Sequence, residues 1–288
     1  MEATPDLVRA LIADQFPVWA DLLVQPVATG GWCNRTFHLG VDKLVRLPSA
    51  ERYAAQIPKE CSLLPLLRLH LPLEIPEVLG QGAPALGYPY SWSVLAWIEG
   101  TQVPSDGTVD LDVLAEDLGR FLTLLQLAPV PGPAPGTHNF WRGGALQVYD
   151  ADTRSALGRL QGRVDTERCL DLWDEALAVH WDQNPVWVHG DVSPANLIVR
   201  GGRLAAVIDF GNCAVGDPAC DYSIAWTSLP YSARRRLRQT AGGDAGLWLR
   251  ARGWALWKAL ISLAGEPGNQ GEAQHRATLQ AILDDPVF

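Results

Sequence analysis

The feature that most constrains the fold is a segment of short apolar runs and turns at residues 185–211, PVWVHGDVSPANLIVRGGRLAAVIDFG. The first apolar run ends at His189, and the Gly and Pro residues in the turn that follows oppose a regular helix. A second apolar run leads to Gly201-Gly202, which predicts a hairpin that returns the chain to DFG at residues 209–211. Because antiparallel strands pair side by side, the start of this hairpin and its end should lie together.

Three polar side chains fall at the ends of these predicted strands. Asn196 precedes the hairpin and Asp209 follows it, so the pairing brings two oxygen-bearing side chains to one point. Magnesium prefers such donors and takes one or two protein ligands beside phosphate and water. Asp191 lies on the preceding turn, where its carboxylate can accept a hydrogen bond from a hydroxyl and aim it at a phosphate. The combination indicates phosphoryl transfer, although a lone Asp in a turn is usually a cap or a turn former.

The two parts of the chain differ in periodicity. An amphipathic segment at 5–24 is followed by short strand-like runs, with one long helical segment at 51–69 among them. From the amphipathic helix at 110–127 onward, helical segments dominate. We therefore predict an α+β fold with two lobes: a small antiparallel sheet with one long helix in residues 1–100, and a larger, mainly helical lobe in residues 101–288. A ligand would bind between the lobes.

Charge and cysteine content limit the classes of partner. The net charge of −9 disfavours nucleic acid and anionic membranes, because both are bound through basic patches. It is compatible with a cationic substrate, but it also serves solubility. Five cysteines without a CxxC pair or a zinc-type cluster indicate free thiols in a reducing cytosol. The acidic N-terminal segment does not resemble a signal peptide, so we expect a cytoplasmic protein outside the membrane; the sequence does not indicate an oligomeric state.

The motifs in combination carry a family resemblance. His-x-Asp-x4-Asn at residues 189–196 is followed by Asp-Phe-Gly at 209–211 and by GDPACDYSIAW at 216–226. This arrangement resembles the aminoglycoside phosphotransferase family of small-molecule kinases, within the protein-kinase-like superfamily. HGD in place of HRD, and the lack of an APE-type segment in the sequence, distinguish it from eukaryotic protein kinases. The resemblance is strong over 186–226, moderate over 26–100 and weak elsewhere.

The resemblance implies a role for each polar residue of the motifs. Asp191 would be the catalytic Asp, and Asn196 and Asp209 would hold Mg²⁺. Three further residues are interpreted as structural supports that hydrogen-bond or start a helix, namely His189, Asp217 and Asp221.

A strand in the first lobe departs from the superfamily pattern. In KLVRLP, strand alternation places Leu44 and Arg46 on one face and their neighbours on the other. By the resemblance, Arg46 occupies the position where the superfamily usually has Lys, and Arg can fork onto phosphate oxygens. Glu60 on the following helix is the expected carboxylate partner, with Glu51 as the alternative. The other interpretation of Arg46 is an exposed charge on a strand.

Two other segments are assigned to nucleotide binding by the resemblance. TGGWCNRTF contains Gly30 and Gly31 but no GxGxxG, so it does not identify which backbone amides contact phosphate. In the connector SVLAWIEG, the Ala96 carbonyl and the Ile98 amide would face the purine edge, with Leu44 on the strand beside them. Backbone contacts of this kind do not distinguish ATP from GTP.

The resemblance predicts an ATP- or GTP-dependent, Mg²⁺-requiring O-phosphotransferase that acts on a hydroxyl of a small molecule. The acceptor would be an aminoglycoside-like antibiotic, which would imply antibiotic resistance, or a related amino or sugar metabolite. Kinases of choline, homoserine and fructosamines share this fold, so the resemblance leaves a metabolite kinase open. Asp284 and Asp285 are candidates to hold a cationic acceptor, or they form a solvated tail. A non-catalytic nucleotide-binding scaffold is the alternative that Arg46 and the missing GxGxxG leave open, and a protein kinase is disfavoured.

Overall fold

The computed structural model describes residues 3–27, 33–104, 106–265 and 271–285. The helices are α1 (Pro5–Gln15), α2 (Glu51–Ala54), α3 (Gln56–Leu67), α4 (Leu111–Gln126), α5 (Asp150–Arg159), α6 (Thr166–Ala178), α7 (Ile224–Thr227), α8 (Tyr231–Ala241), α9 (Ala245–Leu263) and α10 (Glu272–Leu283). The strands are β1 (Val24–Pro26), β2 (Asn34–Leu39), β3 (Lys43–Pro48), β4 (Val78–Gly82), β5 (Trp92–Ala96), β6 (Thr101–Gln102), β7 (Val186–Val188), β8 (Leu197–Arg200), β9 (Arg203–Val207) and β10 (Ala214–Gly216).

The first helix is shorter than the predicted segment 5–24. Thr4 caps α1 by accepting a hydrogen bond from a backbone amide of the first turn. The helix ends at Gln15 because Phe16 precedes Pro17, and the residue before a proline is driven out of helical geometry. The remainder of the segment forms a short 3-10 helix and an extended stretch that leads into β1.

The segment 51–69, predicted to be helical, forms two helices. The chain breaks between α2 and α3 at Ala55. Pro58 then falls in the first turn of α3, where its missing amide hydrogen removes no intrahelical bond. The break therefore lets a proline stand at the start of the helix that carries Glu60.

The N-terminal sheet is antiparallel, with the strand order β1-β2-β3-β5-β4. β3 lies between β2 and β5, and it alternates as predicted. Val45 and Leu47 are fully buried against α1 in a small apolar core, whereas Leu44 and Arg46 face the opposite side. The strand thus presents one apolar face to its own core and one mixed face to a cleft.

A larger apolar core is built mainly from α4 to α10. α9 contacts α5, α6 and α10 and is buried around most of its circumference, with Trp248, Trp254 and Trp257 inside. This arrangement, with the small antiparallel sheet, confirms the predicted two-lobed α+β fold. The boundary near residue 100 stays a prediction. Within the described residues, no helix combines the length and apolar character needed to cross a membrane.

Two small sheets position the residues of the predicted motifs. β8 and β9 form the predicted hairpin, in which Leu197 lies opposite Val207, and β6 extends it on the other side of β8. β7, which ends just before His189, pairs with β10, which follows the DFG segment. The turn after β7 and the chain after β9 are therefore held at one end of the hairpin.

Candidate active site

The hairpin brings Asn196 beside Asp209, as the sequence predicted. The backbone amide of Ile208 donates to the Asn196 carbonyl oxygen at 2.9 Å, which continues the β8–β9 pairing by one step. Asn196 ends a 3-10 helix, Pro194–Asn196, and its side chain is buried. The two oxygen-bearing side chains thus stand at the open end of the hairpin and line the same cavity.

Asp209 has an unusual backbone conformation. Its φ of 64° lies in the left-handed region, which non-glycine residues rarely adopt. A 3-10 helix, Phe210–Asn212, starts directly after Asp209. The Asp209 carboxylate accepts a hydrogen bond from Arg46 Nη2 at 2.6 Å. Strained backbone of this kind persists where the surroundings hold it, and it is frequent at functional sites.

The turn that carries Asp191 is held by His189 and Gly190. His189 is fully buried. Its Nε2 lies 3.0 Å from the Ile208 carbonyl oxygen, so we assign the ring proton to Nε2. Nδ1 then accepts a hydrogen bond from the Asp191 backbone amide at 3.2 Å. Gly190 has a φ of +82°, and a Cβ there would lie 2.3 Å from the Asn212 carbonyl oxygen. His189 therefore supports the loop, as predicted, and only glycine fits beside it.

Two carboxylates brace this turn from behind. Asp221 is fully buried and accepts hydrogen bonds from the backbone amides of His189 and Gly190, each at 2.7 Å. Asp217 caps the following 3-10 helix and forms a buried ion pair with Arg250 at 2.7 Å. Both contacts match the predicted structural roles, and neither carboxylate lines the cavity.

Asp191 lies next to the hairpin end with its side chain open to solvent. Asn196 Nδ2 donates to the Asp191 backbone oxygen at 2.9 Å and lies 3.4 Å from its carboxylate. The pKa of Asp191 is raised, first because protein atoms surround the cleft floor and displace water, and second because Asp209 is a nearby negative charge. His189, Arg142 and Lys258 act in the opposite direction. A raised pKa makes this carboxylate a better acceptor for a hydroxyl proton.

Arg46 joins the two lobes of the site. Its Nη1 lies 3.0 Å from both carboxylate oxygens of Glu60, and its Nη2 contacts Asp209. Arg46 and Glu60 are buried, with 8% and 3% of their side chains exposed, so Arg46 is not a surface charge. Burial raises the pKa of Glu60 against the effect of Arg46, but the forked contact to both oxygens is the geometry of an ionised pair. The alternative partner, Glu51, is exposed on α2.

A cavity of about 920 Å³ opens between β3, the connector after β5 and the hairpin. Six of the predicted site residues line it, namely Leu44, Arg46, Ala96, Ile98, Asn196 and Asp209. Glu60 lies behind Arg46, and Asp191 lies beyond Asn196. Gly30 and Gly31 lie outside the described residues. The cavity is large enough for a nucleotide, and its walls are mainly apolar with a few convergent polar groups.

The residues present fit a magnesium ion. Asn196 and Asp209 supply an amide and a carboxylate oxygen, and Asn196 turns its NH₂ group toward Asp191, which leaves its oxygen for another partner. Among the described residues, no group of three or more His, Cys, Asp or Glu side chains makes a metal site by itself. Magnesium needs only one or two protein ligands when phosphate oxygens and water complete its shell, so the donor set is sufficient.

Asp285 does not lie at this site. It forms an ion pair with Arg234 at 3.0 Å and accepts a hydrogen bond from Trp226 Nε1 at 2.6 Å. It lines a separate pocket with these residues, and its side chain is only 9% exposed. The prediction that Asp285 holds a cationic acceptor is therefore wrong, because Arg234 already neutralises its carboxylate. The alternative of a solvated tail is wrong at Asp285 as well, because the side chain is buried. Asp284 is exposed and outside both pockets.

Two cations near Asp191 were missed in the sequence. Arg142 and Lys258 come from a loop before α5 and from α9, and both influence the pKa of Asp191. Neither lies in a recognisable motif, and each is about fifty or more residues from Asp191 in sequence. Only the folded chain brings them together.

The family comparison matches most of the chain. Residues 24–260 match the model of a family described as a phosphotransferase enzyme family, APH. A search of curated proteins finds no match.

Solved structures with the same fold include antibiotic phosphotransferases. The GDP and kanamycin complex of APH(2'')-IIIa aligns with a TM-score of 0.73 at 20% identity, over 96% of either chain. APH(2'')-Ib with ADP bound gives 0.64 at 18% identity, over 94% of this chain and 96% of the other. The macrolide 2'-phosphotransferase MphH from Brachybacterium faecium gives 0.57 at 23% identity, over 98% of either chain. At these identities the likeness concerns the fold. The family match over residues 24–260 places the chain in the phosphotransferase enzyme family, as a small-molecule phosphotransferase that acts on hydroxyl groups.

Proposed function

We propose that this phosphotransferase transfers the terminal phosphoryl group of ATP or GTP to a hydroxyl of a small molecule, in a Mg²⁺-dependent reaction. One observation carries the proposal: Arg46 and Asp209 are joined at the wall of the cavity, with Asn196 beside them and Asp191 one hydrogen bond further on. The group contains every charge that phosphoryl transfer requires of the protein.

The nucleotide would occupy the cavity with its base in the apolar part. Leu44 on β3 would pack on the base, and the backbone of Ala96 and Ile98 would face its polar edge. Related structures contain GDP or ADP, which supports a purine nucleotide as the donor. The choice between ATP and GTP is left to the assay.

Arg46 would neutralise the phosphates, and Glu60 would fix Arg46 in place. The forked contact from Glu60 uses one end of the guanidinium, so the Nη2 end remains to face Asp209 and the phosphate oxygens. Because both partners are buried, the arginine is held without solvent screening. This arrangement takes the role of the lysine that is usual in the superfamily.

Asn196 and Asp209 would hold the magnesium ion, which would neutralise the negative charge that develops on the phosphate oxygens. Asp209 contributes a full negative charge and Asn196 only a dipole, so their contributions should differ. The hydrogen bond from Arg46 Nη2 holds the Asp209 carboxylate in place.

Asp191 would act on the acceptor. Its carboxylate accepts the hydrogen of the attacking hydroxyl and orients the oxygen toward the terminal phosphorus. The new bond joins the acceptor oxygen to phosphorus, the bond to the bridging oxygen breaks, and the nucleoside diphosphate leaves. The hydroxyl proton passes to Asp191 and then to solvent. The raised pKa of Asp191 favours this proton transfer.

A cytoplasmic location belongs to the proposal as well. The five cysteines are free in the structure, and three of them are buried, as expected of a protein kept in a reducing compartment. The acceptors of related proteins, kanamycin in one and a macrolide in another, support a small organic molecule as the acceptor class.

The test is an acceptor screen with labelled ATP and GTP in the presence of Mg²⁺. Transfer of label to a small hydroxyl compound, lost in Asp191→Asn, would support the proposal. A protein that binds nucleotide but transfers phosphate to no hydroxyl compound, and does not hydrolyse nucleotide, would instead be a nucleotide-binding scaffold.

A further inference from the structure

A strained loop carries Arg142 and packs against the turn that carries Asp191. Two consecutive non-glycine residues, Phe140 and Trp141, have φ values of 52° and 55° in the left-handed region. The buried Asn139 fastens this loop, because its Nδ2 donates to the Arg142 carbonyl at 2.8 Å and to the Asn212 carbonyl at 3.1 Å. Such strain persists only where the surrounding contacts impose it.

The same Asn212 carbonyl touches the catalytic turn. It is the oxygen that excludes any side chain at Gly190, directly before Asp191. Asn139 therefore ties the Arg142 loop, the turn after DFG and the Asp191 turn into one unit. The position of Arg142 relative to Asp191 is fixed by packing and hydrogen bonds.

The guanidinium of Arg142 is stacked on aromatic rings of α9. Its Cζ lies 5.1 Å from the Trp254 ring centroid and 4.8 Å from that of Trp257. Tyr149 stacks in turn on Trp257, with ring centroids 4.0 Å apart. Stacking on aromatic faces stabilises an arginine in a single orientation and leaves the edge of its planar head for hydrogen bonds.

This cluster has cations and donors but lacks acceptors. Within the described ranges, neither Arg142 nor Lys258, which follows Trp257 on α9, forms an ion pair. Arg142 Nε is buried and makes no hydrogen bond among the described residues. Because neither cation has a carboxylate partner in this part of the chain, their charges remain available for an anionic ligand.

The hydrogen bond from Asn139 to the Asn212 carbonyl, which also lies against Gly190, places the Arg142 loop beside the turn that carries Asp191. The pKa of Lys258 is lowered, first because protein surrounds it and second because Arg142 is a like charge nearby, while Asp191 opposes the shift. In addition, the charged residue expected to hold a cation, Asp285, is engaged with Arg234 elsewhere.

We propose that Arg142 and Lys258 form an anion-binding subsite for the acceptor, so that the substrate is a hydroxyl compound that also carries a carboxylate or a phosphate ester. The inference rests on the proposed function, since Asp191 must receive the hydroxyl while the two cations hold the anionic group. A polyamine acceptor would place its ammonium groups against these two cations. Phosphoryl transfer itself is unchanged, and the anionic group takes no part in bond making.

The test measures binding to the full-length protein with Mg²⁺ and a non-hydrolysable ATP or GTP analogue, which fills the phosphate site around Arg46. Four probes with one sugar ring are titrated by calorimetry: glucose 6-phosphate, glucuronate, glucose and glucosamine. We expect one or both anionic probes to bind at least about tenfold tighter than glucose and glucosamine. Comparison of the two anionic probes distinguishes a phosphate ester from a carboxylate.

Variants locate the effect. Lys258→Gln changes an exposed side chain, so the fold should survive, and the preference for the anionic probe should fall about tenfold or more. Arg142→Gln should give the same loss in a folded protein. Arg236→Gln, which removes an exposed cation from α8, is the matched control and should keep the preference.

The outcomes separate the two claims. Failure of the nucleotide analogue to bind would refute the proposed function itself. With the analogue bound, three results would overturn the anion subsite: no binding of either anionic probe at about 10 mM, equal binding of all four probes, or tighter binding of glucosamine. The first result is decisive because a subsite of two charged donors should give at least millimolar affinity. A preference that persists in Lys258→Gln and Arg142→Gln would overturn it as well.

Discussion

Arg46 and Glu60 allow stability and nucleotide binding to be separated in one experiment. In Arg46→Met, Glu60 remains 3% exposed and loses its ion-pair partner. Breaking a buried ion pair by removing one partner costs about 3–5 kcal/mol, so the free energy of unfolding should fall by about that amount. Nucleotide affinity should fall about ten- to hundredfold, because a charged donor contributes about 1.5–3 kcal/mol to the bond that it makes.

The double variant Arg46→Met/Glu60→Leu decides between the two effects. Replacing both members of a buried pair by apolar residues of similar volume is often neutral, so most of the lost stability should return. Nucleotide affinity should stay low, because the phosphate cation is still missing. Urea denaturation and nucleotide titration measure the two quantities, and Glu51→Gln, on the exposed α2, is the control. Recovery of affinity along with stability would refute the assignment of Arg46 to phosphate.

Three further predictions concern the site and its support. Asp209→Asn should weaken Mg²⁺-dependent nucleotide binding more than Asn196→Ala does, since a carboxylate binds the cation more strongly than an amide; equal losses in a titration at varied Mg²⁺ would contradict this. Turnover should fall as the pH is lowered through the pKa of Asp191, because only the ionised carboxylate accepts the proton. The midpoint of this acidic limb of the pH–rate profile should lie above the usual pKa range of an Asp. Lys258→Gln should move the limb to higher pH, since it removes a cation that favours the ionised form; a shift to lower pH would contradict the geometry. Gly190→Ala should destabilise the fold by about 1–3 kcal/mol or more in urea denaturation, because of its φ of +82° and the carbonyl 2.3 Å from the new Cβ, and a neutral result would show that the turn can relax.

The sequence predicted correctly which of the site residues close together in the chain would lie side by side. Asn196 and Asp209 flank a hairpin whose strands and glycine turn are visible as local patterns, so pairing alone brings them together. Arg46 and Glu60 were matched by the resemblance and by strand alternation, and the structure contains the ion pair. The phosphate role of Arg46 remains a prediction that the variants test.

Helix ends were predicted less well, because local backbone rules override the apolar pattern. Leu22 lies near helical spacing with α1, yet Pro17 ends the helix much earlier. The break at Ala55 divides the segment 51–69, which the sequence predicts to be helical without interruption at that residue. Periodicity indicates which face is apolar, but not where the backbone can no longer continue.

The proposed acceptor subsite could not be predicted, since its residues come together only through tertiary packing. Arg142 lies in a loop of unusual φ values, and Lys258 on a helix in which nearly every neighbour is buried. The net charge of −9 is compatible with a cationic acceptor, yet Arg142 and Lys258, which act on Asp191 from this side, are positive. A net charge describes the whole surface and not a single cleft.

The central claim is that Asp191 orients the acceptor hydroxyl without holding the nucleotide. The measurement is the nucleotide dissociation constant with Mg²⁺, together with the rate of phosphate release or transfer, in wild type and Asp191→Asn. The substitution keeps the shape of the side chain and removes the charge that accepts the proton, so the rate should fall by several orders of magnitude while the dissociation constant changes by less than about threefold. Near-normal turnover, or a loss of nucleotide affinity as large as the loss of rate, would contradict the account.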